Sequence, residues 1–127
     1  MSSRAAVPQL FDTNILIDHL NGIAKATREI EANTNPAIST ITWMEVMAGA
    51  ATSDEEAILR GFLAHFTVLP VTDGVAERAV AIRRKLRIKL PDAIILATAE
   101  VAGRQLCTRN VRDFPDGMAG VRMPYRV

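Results

Sequence analysis

The sequence predicts an α/β sandwich with a short, mostly parallel central sheet, and three observations predict it. Short apolar runs recur along the chain, each followed at once by a segment of helical apolar period. The first run, Leu10-Phe11, stops at Asp12 and gives way to Ile15, Leu16, Ile17 and Leu20. Strands joined by crossover helices lie parallel, because only a long connection returns the chain to the same end of the sheet. The length of 127 residues suits one domain, residues 1–127, with a core of its own.

In chain order, Pro8 to Asp12 predicts the first strand and Asn14 to Leu20 a short helix ending near Asn21-Gly22. Ile23 to Ala32 predicts a second helix, stopped by Asn33-Thr34-Asn35-Pro36. Ala37-Ile38-Ser39 suits a second buried strand. Thr40 or Thr42 is then placed to cap a helix through Ala51, since a hydroxyl satisfies free N–H groups of a first turn. Ser53 and Glu56 form a capping-box pattern opening a helix to about His65. Phe66 to Leu69 predicts a third strand closed by Pro70. Thr72 or Asp73 caps a helix with Val75, Ala79, Ile82 and Leu86 on its apolar face. Asp92, after Pro91, opens a helix to Ala102 that is apolar nearly all round and therefore buried. Gln105 to Thr108 and Val121 to Met123 complete the strands.

Composition excludes several classes. Apolar residues make up 49% and charged residues 23%, the balance of a globular chain. No apolar run is long enough to span a membrane, and the first eight residues are too weakly apolar for a signal peptide. The one cysteine, Cys107, has no partner for an intrachain disulfide, which fits a cytoplasmic protein. The net charge of +1 conceals an asymmetry: residues 1–77 carry four Lys/Arg against ten Asp/Glu, and residues 78–127 eleven against four. Six of those cations, and no acid, lie between Arg78 and Pro91. This stretch, with Arg83, Arg84 and Arg87, is the candidate surface for a polyanion, joined by Arg109 and Arg112. A solvated helix face is the competing reading of the same charges.

Four acids stand at strand–helix junctions or near them. Asp12 ends the first strand, Glu45 lies in the helix after the second, Asp92 opens the buried helix, and Asp113 follows the fourth strand. Each has an ordinary reading: helix caps for Asp12 and Asp92, a solvated helix residue for Glu45, a turn residue for Asp113. Taken jointly they point elsewhere, because strand carboxyl ends in a parallel sheet share one edge. Carboxylates gathered there repel one another unless a hard cation neutralises them, and Mg²⁺ or Mn²⁺ takes oxygen ligands. No His/Cys cluster suggests zinc, since His19 and His65 are far apart in sequence, and neither a GxGxxG nor a P-loop is present.

Phe11-Asp12-Thr13-Asn14, Ser39 to Val46, Leu90 to Ala99 and Thr108 to Phe114, in this order and spacing, resemble the PIN-domain ribonucleases, and among them the VapC toxins of type II toxin–antitoxin systems. The resemblance covers nearly the whole chain. It implies a PIN-like α/β/α sandwich and a Mg²⁺- or Mn²⁺-dependent endoribonuclease. Its catalytic and metal-holding acids fall on Asp12, Glu45, Asp92 and Asp113, and their polar partners on Thr13, Asn14, Thr108 and Asn110. It also implies an RNA substrate, a cognate antitoxin and a homodimer. An antitoxin helix would find its groove among the helices Ile15 to Leu20, Ile23 to Ala32 and Ile58 to Phe66, with Leu16, Leu20, Ile58, Phe62 and Leu63 as candidate contacts.

Two rivals are weighed against this. A haloacid-dehalogenase-like phosphatase needs a second aspartate two residues after the first, and that position holds Asn14. A catalytically inactive PIN-like module binding RNA or protein predicts a broken acid set, whereas this set is whole.

Overall fold

The computed structural model describes residues 7–115 and 117–126. The extreme N-terminal residues, read above as unsuited to a signal peptide, lie largely outside it. β1 (Gln9–Phe11), β2 (Ala37–Ser39), β3 (Thr67–Leu69), β4 (Gln105–Cys107) and β5 (Val121–Arg122) form one sheet in the order β3-β2-β1-β4-β5. Every pairing is parallel, so the expected mostly parallel sheet is wholly so among these strands. Leu10 pairs with Ala37 on one side and Leu106 on the other. The chain therefore steps outward from β1 to β3, then returns to place β4 against the other flank of β1. That reversal creates a crevice beyond the strand carboxyl ends, between β1 and β4.

Successive residues of a strand point to opposite faces, and the core follows that alternation. Phe11, Ile38 and Cys107 face a cluster with α1 (Thr13–Leu20), α2 (Ala24–Glu31), α3 (Thr40–Met47) and α4 (Ser53–Leu63), through Ile15, Leu16, Ala26, Val46 and Leu63. Leu10, Ala37 and Leu106 face the other cluster, with α5 (Asp73–Leu86) and α6 (Leu90–Val101). The result is the α/β/α sandwich. In α6 the residues from Ile95 to Ala99 are all buried, as its apolar sequence requires. Burial pushes the Cys107 thiol up to about 12, so this cysteine is core packing and not a reactive group.

Helix starts and ends depart from expectation by small steps with clear causes. Ser39, not Thr40 or Thr42, caps α3 by accepting from the Ile41 N–H at 3.0 Å, and the helix stops at Met47, before Ala51. The capping box of α4 sits one residue earlier than Ser53–Glu56. Thr52 Oγ1 accepts from the Glu55 N–H at 3.1 Å, and Glu55 Oε1 accepts from the Ala51 N–H at 3.1 Å. Asp92 does not cap α6. The helix begins at Leu90 with Lys89 as its flanking residue, Pro91 fits the first turn without loss of a hydrogen bond, and Asp92 lies a residue further in. The capping explanation of Asp92 therefore fails, and its carboxyl is available for other work.

Candidate active site

The crevice holds a cleft of about 450 Å³ whose lining includes Asp12, Asn14, Asp18, Glu45, Asp92 and Arg109. Asp12 is fixed most firmly. Its backbone N–H donates to the Cys107 carbonyl at 2.9 Å, tying β1 to β4 at the crevice. Its Oδ1 accepts from the Thr13 N–H at 2.7 Å, and its Oδ2 from the Thr108 hydroxyl at 2.7 Å and Asn14 Nδ2 at 3.2 Å. Burial raises the Asp12 carboxyl above its ordinary value, a rise opposed by those three donors and reinforced by the charge of Glu45.

Glu45 reaches the same cleft from α3, where Thr13 donates its hydroxyl proton to Oε1 at 2.5 Å. Thr42 Oγ1 lies 3.0 Å from Thr13 Oγ1 and steadies that hydroxyl from beneath. Asp92 enters from the first turn of α6. Burial, a hydrogen bond shared with Asp113, and the charges of Asp12, Asp113 and Glu45 push it up to about 7. A carboxyl raised in this way is the signature of acids brought close without a counter-ion. Asp113 is oriented by Asn110, whose Nδ2 donates to Oδ2 at 3.0 Å and whose Oδ1 accepts from the Asp113 N–H at 3.2 Å. Three of the four sequence candidates, Asp12, Glu45 and Asp92, line the cleft, and Asp113 adjoins it through Asp92.

The candidate polar partners also fall into place. Asn14 Oδ1 accepts from the Arg109 N–H at 3.1 Å, and Thr108 Oγ1 accepts from the Asn110 N–H at 3.0 Å. The donor set is all oxygen, which fits Mg²⁺ or Mn²⁺ and does not fit a soft ion. Among the described residues no three acids stand close enough to ligate one ion directly. Mg²⁺ keeps several waters and is commonly held by one or two carboxylates, so the residues present suit an ion held partly through water.

The basic candidates divide. Arg83, Arg84, Arg87 and Arg112 are exposed and do not line the cleft. Arg109 does, but its guanidinium is engaged: Nε donates to Asp18 Oδ2 at 2.5 Å and Nη2 to Oδ1 at 2.8 Å. Asp18 is absent from the sequence candidates, and its one signal there is an acid inside the apolar segment Ile15 to Leu20, four residues after Asn14. Burial alone would raise its carboxyl; the hydrogen bonds from Arg109 and Tyr125 outweigh that and hold it below its ordinary value. The apolar groove also moves. Leu16 and Leu63 are core residues, and the groove, about 340 Å³, runs between α1, α3 and α4 past Ile17, Leu20, Val46, Ile58 and Leu59.

The profile of the PIN domain family matches residues 10–116, a span that contains all four acids. The chain belongs to the PIN-domain family. It is 36% identical over 114 residues to "Ribonuclease VapC10" of Mycobacterium tuberculosis, covering 84% of this chain and 85% of that protein. It is 34% identical over 116 residues to "Ribonuclease VapC19" of the same species, covering 84% and 92%. Among solved structures, a toxin–antitoxin complex from Klebsiella pneumoniae superposes with a TM-score of 0.87 at 48% identity, covering 94% of this chain and 99% of that one. A DNA-bound VapBC from Salmonella typhimurium gives 0.76 at 26% identity, covering 92% and 96%. The PIN fold places the parallel sheet and the acid-lined crevice in one architecture. No helix among the described residues is long and apolar enough to cross a membrane.

Proposed function

We propose that this PIN-domain chain is a divalent-metal-dependent endoribonuclease, the toxin of a toxin–antitoxin pair, acting in the cytoplasm. One observation carries the reading: Asp12, Glu45 and Asp92, from three different elements, line a single cleft, with Asp113 against Asp92, and that crowding raises the Asp92 carboxyl. A site so loaded with negative charge binds RNA poorly until a cation offsets it. Asp12, Glu45, Asp92 and Asp113 would hold Mg²⁺ or Mn²⁺, which supplies charge that acidifies water and offsets the charge developing on the scissile phosphate.

The chain's own residues set the geometry of hydrolysis. Asp12 presents a carboxylate whose orientation is fixed by Thr13, Asn14 and Thr108. Asp92, whose carboxyl is raised to about 7, would give up its proton on holding the cation, so metal uptake would release protons. The exposed cations Arg83, Arg84 and Arg87, with Arg112, would hold the RNA backbone. No covalent protein intermediate is required. Asp92→Asn should remain folded and lose RNA cleavage by at least about a hundredfold, since removing even an outer partner of a metal ligand costs about ten- to a hundredfold. Cleavage by this variant at the parent's rate in Mg²⁺ would refute the assignment.

The groove beside the cleft fits the partner. Ile17 lines both the groove and the acid cleft, and Ile17, Leu20 and Ile58 are each more than a third exposed. An antitoxin helix seated there would bring a cationic side chain, preferably arginine, to the four acids. Co-production with a cognate antitoxin should suppress cleavage, and Ile58→Asp should restore it without altering the free enzyme. A homodimer is the expected form of the free chain, checked by sedimentation.

A further inference from the structure

Asn14 and Asp18 lie four residues apart on α1 and therefore on one helix face, and both grip Arg109. Asn14 takes its main-chain N–H at 3.1 Å, and Asp18 takes its guanidinium through two hydrogen bonds at 2.5 and 2.8 Å. Asp18 is itself only 4% exposed. It receives a third bond, from the Tyr125 hydroxyl at 2.7 Å, which brings the C-terminal segment to the cleft. Lys25 on α2 donates to the Arg126 carbonyl at 3.2 Å and holds the same segment from the other side. One carboxylate thus joins α1, the loop after β4 and the chain's last described residues.

That loop carries Thr108, which orients Asp12, and Asn110, which orients Asp113. Its hold on α1 beyond these two residues is the pair of contacts to Arg109. We propose that Asp18 is a positioning residue of the candidate nuclease site, which clamps Arg109 so that the 108–113 loop presents Thr108 and Asp113 to Asp12 and Asp92. The inference rests on the nuclease reading for its kinetic consequence, and not for its effect on metal binding. Arg109 then serves as a strut, and the RNA-contacting role expected of it from sequence passes to the exposed cations. A bidentate guanidinium is what the clamp needs; lysine keeps the charge but not the two-point geometry.

The test uses the full chain with Asp18→Asn, Arg109→Lys and Tyr125→Phe, each checked for fold by far-UV circular dichroism. Mn²⁺ affinity is read by electron paramagnetic resonance, and kcat and KM on a single-stranded RNA. Asp18→Asn and Arg109→Lys should each weaken Mn²⁺ binding and lower kcat by about ten- to a hundredfold, with KM changed less than about twofold. The double variant should be no worse than either single one, because both break the same clamp. Tyr125→Phe should show the same pattern at smaller size, and with Arg109→Lys it decides the matter if Asp18→Asn does not fold. Mn²⁺ affinity and kcat unchanged in the folded variants overturn the proposal, as does a raised KM at constant kcat, which would return Arg109 to RNA contact. If the parent binds Mn²⁺ but cuts no RNA, the nuclease reading fails, and the Mn²⁺ affinities alone decide the clamp.

Discussion

The two walls of the acid cleft are built on opposite principles. On the β1–β4 wall, Asp12 is buried and its oxygens accept three hydrogen bonds, from Thr13, Asn14 and Thr108. On the α6 wall, Asp92 is half-buried and meets another carboxyl, Asp113. The first wall is organised before any ligand arrives, and its charge is stabilised by fixed dipoles. The second is held in check by the raised carboxyl of Asp92, which a bound cation would ionise. A site of this kind combines a rigid reference point with a responsive half.

The largest expected effect comes from making the same substitution on both walls. Asp12→Asn and Asp92→Asn should each lower cleavage by at least about a hundredfold. Their stabilities should part. In Asp12→Asn an amide N–H₂ must face donors already present, and a buried group left unsatisfied costs about 1–3 kcal/mol. Asp92→Asn removes a like-charge contact and lets the amide donate to Asp113, so at neutral pH it should match or exceed the parent in thermal stability. Equal losses of stability in the two variants would show that the walls do not differ as described.

The next effect is a pH dependence, and its sign follows from Asp92. The unfolded carboxyl ionises at its ordinary value of 3.8, and the folded one only at about 7. Between these values the folded state binds more protons, so the metal-free protein loses stability as pH rises through that window. The raised carboxyl of Asp12 acts in the same direction. Mg²⁺ offsets the repulsion only where the acids are ionised. Its addition should therefore raise Tm more at pH about 8 than at pH about 5.5. A metal-induced shift that is the same at both values would contradict the raised carboxyl of Asp92.

Much of this comparison is legible in the sequence, and the unread part has a pattern. Asp12, Glu45, Asp92 and Asp113 were visible because strand ends and helix starts of a parallel sheet share an edge, a rule that acts over short stretches of chain. The local pattern places the caps of α3 and α4 one to three residues beyond Ser39 and Thr52, because several Ser and Thr lie there and each can cap. Asp18 stayed hidden for a different reason: its partners Arg109 and Tyr125 lie 91 and 107 residues away. Such a bond depends on how β1 and β4 meet, which no local pattern encodes. Leu16 reads as a groove residue in the sequence because periodicity marks an apolar face without saying whether the sheet or a partner covers it.

The smallest effect lies on the approach to the α6 wall. Arg87 ends α5 with φ of 57°, the left-handed region, and among the described residues it is the one non-glycine there. Glycine is the usual residue at such a helix end, and a side chain costs roughly 1 kcal/mol. The arginine is exposed, so packing does not compensate, and five neighbouring cations share its stretch from Arg78 to Lys89. A strained position that keeps a cation five residues before Asp92 is explained if the charge binds a polyanion. Arg87→Gly should therefore stabilise the fold by about 0.5 kcal/mol, the strain relief being partly cancelled by the added freedom of the unfolded chain. The same variant should raise KM for RNA and lower the salt slope by about one phosphate contact. Thermal melts and a salt titration of KM read the two consequences separately. Greater stability with KM and salt slope unchanged would make Arg87 a solvated cation, and would leave the approach to Asp92 to Arg83, Arg84 and Lys89.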